Sequence, residues 1–328
     1  MTTILLAGTG AVGVRTARQL LETTGVEQLL VTDRRPERAE ELATVLRAET
    51  VPFGVIPDAV SAVALAVPGD AAVGVAREAI RRGISVAAAS DDDDGIDALL
   101  ALDAPARDTG ATVVVGCGLA PGLADVLARH AANALDDADE VHVARVGTAG
   151  EACETALRRA RRERPTEWRA DGRHFERRLG PELVWFPDPV GARECLTVAT
   201  GVQLLHDAVP GVTRATVRAA EPPRRQRAFA ARRRAVDDWG AARVEVWGWR
   251  DGVRDALVYG VIERPSVAAG TVLAVAAARV AGQLIDVRLR EPGPGSRGLG
   301  ALVEPAPFLA ELARRGVKAA AFEGVAVA

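Results

Sequence analysis

Hydrophobic and polar positions alternate between two periods along the first third of the chain. Residues 3–7, 28–32, 61–67, 84–89 and 112–115 are short apolar runs. Between them, residues 11–22, 37–46, 70–82 and 96–109 carry apolar side chains at helical spacing, the second of these preceded by Pro36, a residue suited to a first helical turn. Apolar strands without polar alternation fit a parallel sheet buried on both faces, and the intervening helices supply the cover. With right-handed crossovers the pattern predicts an α/β fold, a doubly wound parallel sheet of the Rossmann type.

Beyond about Ala120 the pattern changes. Residues 141–146, 184–186, 213–219, 242–249 and 256–263 read as strands of a more antiparallel sheet, with Arg250-Asp251-Gly252 as a hairpin turn. Trp168, Trp185, Trp247 and Trp249 all fall in this part. From Val267 the chain is helical again and rich in small residues, as expected of a helix packed closely on the first domain. Residues 291–300, rich in glycine and proline, read as a loop. The organisation expected is a dinucleotide-binding domain over 1–118, an inserted α+β substrate and dimerisation domain over 119–266, and a C-terminal helical segment over 267–328.

Composition narrows the class. With 48% hydrophobic and 26% charged residues in a chain of 328, the profile is globular rather than disordered. A net charge of −3 gives no global field for nucleic acid or an anionic membrane. The arginines at 224, 225, 227, 232, 233 and 234 have only Phe229 beside them for stacking, and read as a solvated face. Lys318 is the one lysine, so Schiff-base chemistry is unattractive. Cys117, Cys153 and Cys195 are far apart and form no CxxC, which fits a reducing compartment. The four histidines show no ligand spacing, so no metal is inferred. Residues 1–10 read as a buried strand rather than a signal peptide, and 267–278 are too short to span a bilayer, so a cytoplasmic location is expected.

Gly8-Thr9-Gly10-Ala11-Val12-Gly13 is GxGxxG between a predicted strand and a predicted helix. Gly8 permits the tight turn, Gly10 lets backbone approach a pyrophosphate, and Gly13 lets helix and strand pack closely. The helix start at Ala11 and Val12 offers unpaired N–H groups to phosphate. An acidic residue is expected about 20 positions on, and Asp33 closes the second strand. Its carboxylate suits a ribose 2′-hydroxyl, favouring NAD, whereas Arg34 and Arg35 would pair with the 2′-phosphate of NADP. The cofactor expected is NAD or NADP, with NAD preferred.

Three further stretches resemble the saccharopine dehydrogenase-like family, which includes lysine 6-dehydrogenase-type and carboxynorspermidine dehydrogenase-type enzymes. They are 60–68 with 79–90, carrying RRGISVAAAS; 110–132, GATVVVGCGLAPGLADVLARHAA; and 185–201, WFPDPVGARECLTVATG, joined by the late GALVEPAPFLAELARRGV. The resemblance implies an NAD(P)-dependent enzyme acting on an amine, imine or amino-acid-derived substrate, usually as a homodimer. It also implies that the loop 116–122 leaves the Rossmann sheet, with Gly118, Pro121 and Gly122 bordering the nicotinamide. Many relatives carry an aspartate where Ala87–Ala89 ends the fifth strand; here the acids begin at Asp91.

Pro68 and Ser90 complete the expected cofactor cleft. The catalytic candidates are Asp91, Glu194 and His206. Asp91 heads an acidic run that either holds a substrate ammonium or serves as a solvated helix cap. Glu194 follows the proline-containing turn of the resembling segment, and His206 reads more readily as a structural or surface histidine than as a catalytic one. The function expected is hydride transfer at a carbon bearing nitrogen in a small-molecule substrate. A non-redox dinucleotide sensor, or an inactive scaffold of the same fold, is the alternative.

Overall fold

The computed structural model describes residues 2–175, 180–220, 239–282, 287–290 and 293–322. The arginine-rich stretch 224–234 lies outside the described residues.

The first sheet contains β1 (Thr3–Ala7), β2 (Gln28–Thr32), β3 (Glu49–Thr50), β4 (Val60–Leu65), β5 (Ser85–Ala88) and β6 (Thr112–Val115). A late strand, Gly295–Gly298, makes it seven-stranded, in the order late strand–β6–β5–β4–β1–β2–β3, every pair parallel. All five residues of β1 are buried, as an uninterrupted apolar run requires when helices cover both faces. The crossovers are α1 (Ala11–Leu21), α2 (Pro36–Leu46), α3 (Gly69–Arg81), α4 (Asp93–Leu100) and α5 (Asp103–Thr109). Strand order reverses between β2 and β4, on either side of β1, so a crevice opens beyond its C-terminal end.

Two local expectations needed correction. Residues 96–109 form two helices, not one. Asp92 caps α4 by accepting from Gly95 N–H at 2.8 Å, and Pro105 falls in the first turn of α5, where a missing N–H is tolerated. Gly295–Gly298 is a strand inside the stretch read as a loop. Gly-Ser-Arg-Gly has no apolar period, yet it is fixed by polar bonds: Ser296 donates its hydroxyl to the Leu99 carbonyl at 2.8 Å and its N–H to Asp103 at 2.9 Å.

The second sheet is mixed. It contains β7 (Asp137–Val146), β8 (Thr166–Arg169), β9 (Gly172–Phe175), β10 (Glu182–Trp185), β11 (Ala192–Thr197), β12 (Arg214–Ala220), β13 (Gly240–Arg250) and β14 (Val253–Glu263), with a last strand, Ala319–Phe322, at one edge. β7 and β12 run parallel; the other pairs are antiparallel. Asp251 and Gly252 have φ of 52° and 75°, the two positive values a primed two-residue hairpin turn demands.

The helix α6 (Leu123–Ala132) lies against β13, and its Val126 and Leu127 share a core with Val143 and Val244 as well as with Ile4 and Leu6 of β1. One apolar cluster therefore runs through both sheets. The helix Pro265–Val280 crosses α1 so closely that a Cβ on Gly270 would lie 2.5 Å from Arg15 Cβ. Among the described residues no helix is long and apolar enough to cross a membrane.

Candidate active site

A cleft of about 880 Å³ opens at the C-terminal ends of β1 and β4, between the first sheet and the helix α7 (Glu151–Ala160) of the second domain. Its floor is the glycine loop. Gly8 has φ of 101°, and a Cβ there would sit 2.5 Å from the Ala66 carbonyl oxygen. A Cβ on Gly13 would fall 1.9 Å from the Gly8 carbonyl, so this glycine serves loop–helix packing behind the cleft rather than lining it. Gly10 differs from both: it is exposed, has an extended backbone, and would meet nothing within 4 Å. The space above Gly10, Ala11 and Val12 is open to a group that needs N–H donors and a helix N-terminus, as a pyrophosphate does.

Asp33 sits beside this loop at the end of β2. Its Oδ2 accepts from both the N–H and the hydroxyl of Thr9 at 2.8 Å, and its Oδ1 from Arg35 N–H at 2.9 Å. Partial burial pushes the carboxyl up, but these three bonds and the Arg38 charge outweigh it and hold the group below the usual aspartate value. Asp33 is thus ionised at neutral pH. Arg34, Arg35 and Arg38, all exposed, line the same end of the cleft. The sequence reading missed Arg38, which comes back to the site one helical turn after Arg34.

At the other end lie Pro68, Ser90, Asp91, Gly118 and Pro121. The acidic run after β5 is not simply solvated. The Asp91 carbonyl accepts from the Thr200 hydroxyl at 2.5 Å, Asp93 accepts from Gly201 N–H at 2.7 Å, and Asp94 pairs with Arg159. Burial pushes the Asp93 carboxyl up despite its bond to Gly201. The run therefore ties the first sheet to the second domain at the edge of the cleft, whose lining includes Asp91 and Asp92.

The second domain supplies the far wall: Arg145 from β7, Gly147 and Gly150 from the following turn, and Cys153 and Thr155 from α7. None of these was singled out from sequence. The visible signal was the glycine-flanked turn Gly147-Thr148-Ala149-Gly150 ahead of an amphipathic helix, which in isolation looks like any loop. Burial pushes the Cys153 thiol up to about 12, with the Asp91 charge adding to the shift, so it remains a neutral hydrogen-bond donor rather than a nucleophile.

Three expected site residues lie elsewhere. Gly122 has φ of 126°, and a Cβ on it would stand 2.3 Å from the Gly118 carbonyl and 2.4 Å from that of Gly116. It lets the loop fold on itself and does not line the cleft. The Ala120–Pro121 peptide is cis, and Pro121 precedes α6. Glu194 is exposed on β11, and His206 is partly buried beside Asp207 and the Trp168 ring; neither belongs to the cleft lining. Cys117 is fully buried, with its thiol pushed up to about 12 by burial.

The architecture is a Rossmann-type parallel sheet followed by a mixed sheet, with α7 forming the far wall of the crevice. No family model matches the chain, and no curated protein matches it by sequence. Solved structures do match. The apo form of histidine-tagged saccharopine dehydrogenase (L-Glu forming) from Saccharomyces cerevisiae superposes with a TM-score of 0.68 at 13% identity, over 98% of this chain and 100% of that one. DAP dehydrogenase of C. glutamicum, in complex with DAP, gives a TM-score of 0.55 at 13% identity, over 96% and 98%. Amine dehydrogenase from Mycobacterium smegmatis gives 0.53 at 12% identity, over 92% and 96%. At such identities the likeness establishes the fold: the chain has the saccharopine dehydrogenase-like fold.

Proposed function

We propose that this protein is an NAD(P)-dependent oxidoreductase that transfers a hydride at a carbon bearing nitrogen, in an amine, imine or amino-acid-derived substrate. The observation that carries the reading is the open backbone at Gly10, at a helix N-terminus over a crevice where strand order reverses. The fold adds support, since the matching structures named above are dehydrogenases by name. When bound, the nicotinamide gives or accepts the hydride. The protein's part is to hold the dinucleotide along Gly8–Val12 and to orient the reacting carbon beside Ser90, Asp91, Gly118 and Pro121.

NAD is the preferred cofactor in this reading. Asp33 is ionised and fixed at the ribose end, where it repels a 2′-phosphate. Arg34, Arg35 and Arg38 support NADP as the second possibility, because three guanidinium groups line that same end. Fluorescence titration with NADH and NADPH decides between them. Tighter binding of NADH supports the NAD assignment, tighter binding of NADPH reverses it, and binding of neither removes the oxidoreductase reading. Binding without turnover of any amine or imine would favour a sensor.

The protein in this reading works as a homodimer. Trp247 and Trp249, 38% and 43% exposed, stand on the face of the second sheet opposite the one packed on α6, and a second copy of that face is the partner proposed.

A further inference from the structure

The helix α7 touches the first domain near both of its ends. Its N-cap Gly150 lies against the glycine loop, where a Cβ would stand 3.4 Å from Ala11 Cβ. Toward the other end, Arg159 pairs with Asp94 in the first turn of α4. Ala11 follows β1 and Asp94 follows β5, with β4 between those two strands. The two contacts are therefore two strand spacings apart, about 10 Å. A helix of 10 residues is about 15 Å long and spans that gap. Ala66, Val67, Pro68 and Gly69, at the end of β4, line the cleft between them. A ligand extended from Gly10 toward Gly118 would thus pass under α7.

This crossing helix is lightly held. Within α7 only Leu157 and Ala160 are buried. The turn before it has Gly147 and Gly150 with φ of 89° and 130°, a backbone that glycine adopts freely. Just past its end, Arg161 donates to the carbonyls of Ala219 and Ala220 and keeps that end with the second sheet. The Arg159–Asp94 pair is 60% and 73% exposed, and Arg159 also meets Glu163 at 3.0 Å. Such a pair is weak and screened by salt. The rest of the cleft wall is not free in this way. Ile4 and Leu6 of the first sheet share one core with Val126, Leu127, Val143 and Val244. Parting the two sheets would expose that cluster, whereas lifting α7 exposes one leucine and one alanine.

Resting on the oxidoreductase reading above for the identity of the ligand, we propose that α7 is a strap across the dinucleotide, latched by Arg159 and Asp94 and pivoting on the Gly147–Gly150 turn. Its opening admits and releases the dinucleotide while the two sheets keep their shared core. Because the strap gates both directions, weakening the latch speeds entry and release together and leaves affinity nearly constant. Opening also has a local signature. A helix of this length without tertiary support is marginal in water, so its hydrogen bonds fray when it lifts.

The test compares the full chain with Asp94→Ala, a position outside the cleft lining that leaves the Asp92 cap of α4 intact. Stopped-flow fluorescence gives the association and dissociation rates of NADH. Both are expected to rise by about twofold to fivefold, the range an exposed ion pair sustains, with Kd within about twofold of wild type. Asp94→Glu, which keeps the charge, stays near wild type. In the ligand-free proteins, amide exchange over residues 154–160 should be faster by the same factor in Asp94→Ala, with β7 and β13 unchanged. Unaltered rates and exchange overturn the inference. Faster dissociation with unchanged association also overturns it, because the pair then acts on affinity and not on access. Faster exchange throughout the second sheet overturns it by assigning the opening to the domains as a whole. The exchange measurement needs no dinucleotide, so failure of the wild type to bind NADH removes the oxidoreductase reading while the strap is still tested.

Discussion

Thr9 donates both its backbone N–H and its hydroxyl to one oxygen of Asp33, each at 2.8 Å. The carboxylate proposed for the ribose end of the cleft is thus also the clamp that holds the glycine loop, joining the first turn after β1 to the end of β2. Removing it releases three donors at once. Hydrogen bonds to a charged group contribute about 1.5–3 kcal/mol each when well formed. Asp33→Ala is therefore expected to weaken NADH binding by at least roughly tenfold. Thr9→Val, which loses the hydroxyl bond but keeps the N–H bond, should show a smaller loss. Because Asp33 also repels a 2′-phosphate, NADPH binding should fall less than NADH binding in Asp33→Ala. An equal fall for both cofactors would leave the aspartate as a loop clamp with no role in choosing between them.

The three glycines of the loop separate folding from binding. Gly10 has a φ of −71° that any residue adopts, and its Cβ would enter empty space. Gly10→Ala should leave Tm close to wild type while the methyl group obstructs the phosphates and lowers NADH affinity by roughly tenfold or more. Gly13→Ala should behave oppositely, with its Cβ 1.9 Å from the Gly8 carbonyl, and lower stability by about 3 kcal/mol or more. Urea unfolding and NADH titration on the two variants make the comparison. Loss of stability in Gly10→Ala, or full NADH affinity in that variant, would contradict the assignment of this backbone to phosphate.

What the sequence revealed follows from how each contact is encoded. The parallel sheet was legible because buried strands such as β1 and β4 are continuous apolar runs, and the glycine loop because its glycines meet a local backbone demand. The spacing of Asp33 from them placed it beside the loop, on the cleft. The opposite wall was not legible, because Arg145 reaches the cleft only through the register of β7 against β13, and nothing local marks it. Glu194 stands away from the cleft for a related reason. Its place in a resembling segment says nothing of strand facing, and β11 buries Cys195 while leaving Glu194 exposed. The strand Gly295–Gly298 was hidden because its fixing partners, Leu99 and Asp103, are almost two hundred positions away.

Trp249→Glu tests the proposed dimer. The side chain is 43% exposed on the open face of the second sheet, so a carboxylate there is tolerated in a monomer. Buried against the same surface of a second copy, the two charges would lie close across a two-fold axis and disfavour association. Light scattering should report a dimer for wild type and a shift toward monomer for the variant, with NADH binding retained. A wild-type monomer, or an unchanged dimer in the variant, would rule out this face.

Asp125, at the start of α6, accepts from Gly122 N–H at 2.8 Å and is only 3% exposed. Burial pushes its carboxyl up from 3.8 to about 7, against the pull of that hydrogen bond and with the Asp207 charge adding to the rise. In the unfolded chain the group ionises near the lower value; in the folded chain it keeps its proton until near the upper one. Between the two the folded state binds more protons than the unfolded, so this residue makes stability fall as pH rises through that window. Below it the contribution vanishes, and above it the full penalty of a buried carboxylate is present. Asp125→Asn keeps an oxygen to accept from Gly122 but cannot ionise. Its stability relative to wild type should therefore increase between about pH 5 and about pH 8. Urea midpoints for both proteins at the two pH values provide the measurement, and an equal change in both would show that Asp125 does not titrate in this range.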